Sequence, residues 1–272
     1  MKSLLIVTLI AYAVAAIHAL LAFINKRRSA ESTALVSLGA GFAVHTVALA
    51  VDWVRDGHYP LFGLRETFSF LAWALVVAYG LALYRYRARA LGALTLPLIT
   101  LLVFVSLLIH ASDGAAANSL VGGAAGWLFY LHTTLVVSSY AAFFVVFAAG
   151  MMYLWQEREL RLKTFSAFFH RLPPLTTVDD IGATAAGIGF TLLSLGILTG
   201  MVWSSARSGK MWHNDPKEVF ALLTWVLYLT MIHYRAQWRG RKAAWAGVAG
   251  FVLVLFTFLG TRWLGHTYHV FG

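Results

Sequence analysis

Apolar runs of membrane length dominate this sequence and restrict its fold more than any other feature. Crossing about 30 Å of hydrocarbon as a helix takes roughly 20 apolar residues. Eight segments approach or exceed that length: Leu4–Ile24, Ala34–Val54, Thr67–Tyr84, Leu91–Ile109, Gly126–Trp155, Ile181–Trp203, Val219–His233 and Ala243–Trp263. The runs are continuous rather than alternating, so they predict helices and not barrel strands. Composition agrees, because 60% of the 272 residues are hydrophobic and 12% are charged, against roughly 45–50% and about 25% in soluble domains. One globular core cannot hide that excess, so lipid must solvate it. The expected fold is an all-α, polytopic integral membrane bundle of about eight transmembrane helices, forming a single domain over residues 1–272. The first run is too long for a signal-peptide core and lacks a small-residue cleavage site, so it reads as a retained span.

Charge sets the direction. Four loops carry Lys26 to Arg28, Arg85 to Arg89, Arg158 to Arg171 and Arg235 to Lys242, which together hold fourteen of the 21 basic residues. These loops alternate with poorly charged ones, and basic loops are retained on the cytoplasmic side. Both termini are then non-cytoplasmic. The net charge of +10 is explained by this asymmetry, with no need for a nucleic-acid partner. The basic, amphipathic stretch after the fifth run is expected to extend that helix along the inner surface.

There is no cysteine, so any metal chemistry must use His, Met, Tyr or carboxylates. Ten histidines are present, and ionisable groups at membrane depth usually face the protein interior. The orientation above gathers His58, His110, His132, His213, His266 and His269 on the outer face. His45 falls near mid-membrane, and His18 and His233 lie towards the inner face. Two imidazoles from different helices can ligate a haem iron from opposite sides, or a zinc or copper ion. Within the outer loops, Met211 to Glu218 (MWHNDPKE) is the most polar run. Asp215, Pro216 and Glu218 there have the spacing of a helix N-cap, a first-turn proline and a capping box. That account leaves Trp212 over, beside basic groups such as Lys210, Lys217 and Arg262 that suit propionates. Loop hydrogen bonds and capping explain Asp215 and Glu218 without acid–base catalysis, so no catalytic pair is expected.

The segment GKMWHNDPKEVFALLTWVLYLTMIHYR resembles the tryptophan-rich "WWD" segment of the cytochrome c assembly family of haem-handling proteins (CcsA/CcmC/CcmF-like). Gly209, Trp212, Asp215, Pro216, Lys217, Glu218, Trp225, Tyr228 and His233 match its pattern, whereas Ser208, Asn214 and Phe220 stand where tryptophans are typical. LHTTLVVSSYAAFF and GHTYHVFG resemble two further family segments and point to His132 and His266; FGLRETFSFLAW, with Glu66, also has a family look. The resemblance implies an outer pair of axial ligands, His132 and His266, and an inner ligand, His233. His45 is taken as the inner partner, with His18 as its rival. It also implies non-covalent haem b, a floor for it built by Trp212, Asp215, Lys217 and Glu218, and Arg262 or Lys217 near its propionates. A CcsB/ResB-like partner and an apocytochrome c would complete the system in a bacterial inner (plasma) membrane, the chain being a haem-handling component rather than an enzyme on its own. Its size and HYRAQWRGRKAAWAGVAG resemble the HemX/YpjD-like branch, so a membrane regulator of tetrapyrrole synthesis stays open. A small-molecule or metal-ion transporter is the second alternative.

Overall fold

The computed structural model describes residues 2–25, 28–56, 59–109, 126–164, 166 and 169–259. All eight expected helices are there: α1 (Lys2–Asn25), α2 (Arg28–Asp56), α3 (Leu64–Tyr86), α4 (Gly92–Leu108), α5 (Gly126–Leu162), α6 (Leu175–Ser208), α7 (Pro216–His233) and α8 (Arg241–Phe258). No strand occurs among the described residues.

Most helices run a turn or so beyond their apolar stretch, because flanking polar residues continue the backbone hydrogen bonds towards the headgroups. The longest helix is α5, whose 37 residues span about 55 Å at ~1.5 Å per residue. As the sequence predicted, the basic stretch after the fifth run continues this helix, though only as far as Leu162. By length and composition, seven of the described helices can cross a membrane. The remaining one, α7, has 18 residues with Lys217 and Glu218 in its first turn and His233 in its last. Its rise of about 27 Å still approaches the hydrocarbon thickness.

The helices gather into two compact units, α1–α4 with residues 169–173 in one and α5–α8 in the other. In the first, α1 packs on α2 and α4, and α3 packs on α4. Gly41 makes the α1–α2 contact possible, since a Cβ there would lie 2.7 Å from the Tyr12 ring. At one end of α3 the buried Arg65 guanidinium sits 3.0 Å from Glu66 and 3.7 Å from Asp52, both also buried. Burial of three charges is tolerable only because they pair with one another.

The second unit is built around α5, which packs against both α6 and α8. On α6, Gly182, Gly189 and Gly196 recur every seven residues and bring that helix close to α5. Such small-residue seams replace the hydrophobic driving force that helices lack in lipid. Phe143 of α5 stacks on the fully buried Tyr228 of α7, with ring centroids 3.8 Å apart. Asp179 of α6 secures the turn between α7 and α8, accepting from Arg235 Nη2 at 2.6 Å and from the Gly240 amide at 3.0 Å.

Candidate functional site

The polar run that opens α7 folds as a self-bonded cap. Helix α6 ends at Gly209, whose φ of 73° suits a residue without a Cβ. Asp215 is the N-cap of α7 and its side chain accepts from the Lys217 amide at 2.8 Å. Pro216 stands in the first turn, and Glu218 Oε2 accepts from the Asp215 amide at 3.2 Å, completing the capping box. The expected cap is therefore present. Glu218 also accepts from the His213 amide at 2.9 Å. The His213 ring is pinned to the end of α6, with Nε2 3.0 Å from the Ser208 hydroxyl and Nδ1 3.3 Å from that of Ser204. Trp212 donates its indole N–H to Asn214 Oδ1 at 2.7 Å and leaves 37% of its surface exposed. Polar backbone and side chains of the loop thus satisfy one another, while an aromatic face stays available above them.

Below the loop, α5 and α6 carry two further layers. Phe129 packs on the buried Trp203 at 5.1 Å, and the Arg207 guanidinium covers the Trp203 ring at 5.5 Å. One turn deeper, His132 Nδ1 donates to the Gly196 carbonyl at 2.7 Å. A carbonyl only accepts, so the Nδ1 proton is fixed and the neutral ring carries its lone pair on Nε2. Gly200 makes room for that ring, because a Cβ there would lie 2.5 Å from His132 Nδ1. The seven-residue spacing of Gly182, Gly189 and Gly196 is the one sequence signal for this seam, and Gly200, four residues on, lies outside it.

Helix α7 carries the rest of the motif. Its buried side presents Thr224, Tyr228 and Met231 to the unit. Trp225 braces α7 to α6 by donating to Ser194 Oγ at 2.8 Å. Val219, Leu222, Val226 and Leu229 lie exposed on another side of the helix, and His233 ends that same stripe, also exposed. The Phe143–Tyr228 stack relates the depths of the two helices. His132 precedes it by eleven residues on α5 and His233 follows it by five on α7. That places His132 and His233 about 24 Å apart along the helix axes at ~1.5 Å per residue. They lie at two levels, not one.

His45 lies in the other unit and is fully buried. Its Nδ1 is 3.2 Å from the Tyr12 hydroxyl and its Nε2 is 2.9 Å from that of Ser69. Both ring nitrogens are engaged, so ligation would require Nε2 to give up Ser69. His18 Nδ1 bonds within its own helix to the Val14 carbonyl at 2.9 Å. His58, His110, Arg262, Trp263, His266 and His269 lie outside the described residues. Among those described, no three His, Asp or Glu side chains come together as a metal site. A bis-imidazole arrangement on a haem iron needs two ligands from separate helices and a fixed tautomer on each, and His132 meets the second condition.

Comparison with known proteins places these residues in a wider context. A family model described as "Cytochrome C assembly protein" matches residues 61–269. That span includes His132, the capped loop, His233 and His266, and it excludes His45. The cytochrome c biogenesis protein CcsA of Guillardia theta is 30% identical over 245 residues, covering 84% of this chain and 81% of that protein. CcsA of Chlorella vulgaris is 30% identical over 277 aligned residues, covering 90% and 88%. CcsA of Prochlorococcus marinus (strain MIT 9301) is 26% identical over 272, covering 91% and 86%.

Proposed function

The chain belongs to the cytochrome c assembly protein family, and from that premise we propose that it holds haem b non-covalently and presents it on the outer side of the membrane for cytochrome c assembly. The membrane is assigned as a bacterial inner (plasma) membrane, with the basic loops inside and both termini outside. One observation carries the reading: the His132 Nδ1 bond to the Gly196 carbonyl, which fixes the Nδ1 proton and leaves the lone pair of the neutral ring on Nε2 at a defined level of α5.

The chain's own work is positional. His132, with His266, would hold the iron from two sides. Trp212 offers an aromatic surface, Arg207 and Lys217 supply cations for propionates at the same end of the unit, and Arg262 is a further candidate for that role. The Asp215–Glu218 cap keeps the start of α7 rigid, so that the loop carrying Trp212 is held at a fixed place. When bound, haem supplies an iron with two axial positions that imidazoles can fill. His233, at the inner end of α7, marks a second level through which haem would pass on its way outward. The chain has no cysteine, so the thiols that receive haem come from an apocytochrome c, held by a CcsB/ResB-like partner.

Absorption spectra of the detergent-purified protein, oxidised and reduced, test this reading. The protein should show the Soret and α/β bands of bis-His haem, and replacing His132 and His266 together should remove those of the outer site. Unchanged spectra in the double variant would sink the assignment. A protein that purifies colourless and gains no bands with hemin would sink the whole proposal.

A further inference from the structure

The loop between α6 and α7 holds one imidazole to which the proposed function gives no role. The His213 side chain is 15% exposed and that of Glu218, beside it, 13%. The ring's Nε2 lies 3.0 Å from Ser208 Oγ, and its Nδ1 lies 3.3 Å from Ser204 Oγ. A hydroxyl has one proton to give. The shorter contact of each serine takes it: Ser204 donates to the Lys210 carbonyl at 2.9 Å, and Ser208 to the Ser204 carbonyl at 2.9 Å. Ser208 Oγ also accepts from the Lys210 amide at 3.4 Å. Both serines therefore turn lone pairs towards the ring.

A neutral imidazole donates from one nitrogen and accepts at the other. Here it would set a lone pair against an acceptor oxygen, unless a serine withdrew its proton from the carbonyl it serves. The doubly protonated ring donates to both serines at once. Its charge has a counter-ion, because Glu218 Oε1 is 3.6 Å from Nδ1. That carboxylate is held in place by the His213 and Asp215 amides, which both donate to Oε2. The other charged side chains on these elements are Arg207, which lies over Trp203, Asp215, which accepts from the Lys217 amide, and Lys210 and Lys217. Trp212 precedes His213 in the chain and bonds to Asn214 on its far side, so the hold on the ring reaches all three residues.

From this geometry we infer that His213 is a proton-operated latch. Taking one proton from the outer solution pins the Trp212 loop to the end of α6, and returning it releases the loop. Imidazoles make this exchange between about pH 5 and 8. The loop is locked at the acid end, because the side-chain groups that hold the ring are acceptors. At the haem site the latch sets how firmly the Trp212 surface is held; that use rests on the function proposed above, whereas the latch itself does not.

The chain has no cysteine, so Met211→Cys, at an exposed position, carries a single nitroxide label beside Trp212. Electron paramagnetic resonance of the labelled full-length protein in detergent, without haem, reads the motion of the loop. Lowering the pH from about 8 to about 5.5, across the imidazole range, should slow the label several-fold. His213→Gln cannot take up a proton and should lose that response, although the other histidines are still present. Ser208→Ala keeps the ring and removes one acceptor. A neutral ring with its proton on Nδ1 then suffices, so the transition should move to lower pH. A label equally mobile at both ends of the range overturns the latch, and so does an undiminished response in His213→Gln. A transition in Ser208→Ala at the parent's pH also overturns it. Failure of the haem spectra would remove the function proposed above and leave these readings intact, since the label is read without haem.

Discussion

His45 and His132 both sit within packed helices, yet the two units hold them in opposite ways. In the first unit His45 has no exposed surface and lies between two hydroxyl-bearing side chains, Tyr12 and Ser69, one at each ring nitrogen. In the second, His132 is half-buried and is oriented through Nδ1 by a backbone carbonyl, opposite a glycine that leaves room for the ring. A ring clasped at both nitrogens by side chains joins helices together. A ring whose Nδ1 proton is fixed by a backbone carbonyl keeps its lone pair on Nε2, the usual second-sphere arrangement for metal-binding histidine. Depth in the membrane and burial do not separate the two histidines; the partners at their ring nitrogens do.

The comparison is broken or upheld most directly by removing each ring in turn. His132→Ala in the full-length protein should abolish the outer-site bis-His bands, read as the loss of the reduced α/β pair. Next in size is Gly200→Val, since a Cβ at that position meets the His132 ring at 2.5 Å. Overpacking of this kind costs about 1–3 kcal/mol, and hemin titration should show roughly ten-fold weaker binding. Gly187→Ala is its control on the same helix, because nothing lies within 4 Å of a Cβ there, and affinity should be unchanged. His45→Leu should do the reverse of His132→Ala. It strands the Tyr12 and Ser69 hydroxyls at a cost of about 1–3 kcal/mol, so the melting temperature falls while the haem bands stay. Loss of bands without loss of stability would instead make His45 a ligand.

Much of this was legible in the sequence, and what was not has a common cause. The helices could be read because a helical span needs a long continuous apolar run, and apart from a closed barrel no other structure satisfies the backbone in lipid. The cap of α7 could be read because its partners, Asp215 to Glu218, are neighbours in the chain. His132 could be named from its segment, but not the carbonyl that orients it, which lies 64 residues away on α6. The same holds for the Asp179 clasp, whose partner Arg235 is 56 residues distant. His45 shows the limit from the other side. Its depth was read well enough to place it in a span, but its role depends on Tyr12 and Ser69, which only packing brings to it. Lateral neighbours across helices leave no mark on a single sequence unless a repeat reveals the seam, as the Gly182, Gly189 and Gly196 spacing does.

The smallest effect belongs to the loop, and it tests whether the loop supports the His132 site or forms part of it. Asp215→Ala removes the side chain that accepts from the Lys217 amide and leaves that donor of α7 unmet. Loss of such a cap costs about 1 kcal/mol. Glu218 still bonds the His213 amide, and His213 remains within reach of Ser204 and Ser208, so the loop keeps a second tether. The position of the haem bands should then match wild type, because no axial ligand has moved, while hemin affinity falls by no more than a few-fold. Thermal melts and hemin titrations of the same preparation check both halves. A shift in band position would mean that the loop reaches the iron itself and is not merely a support for the helix that carries His132.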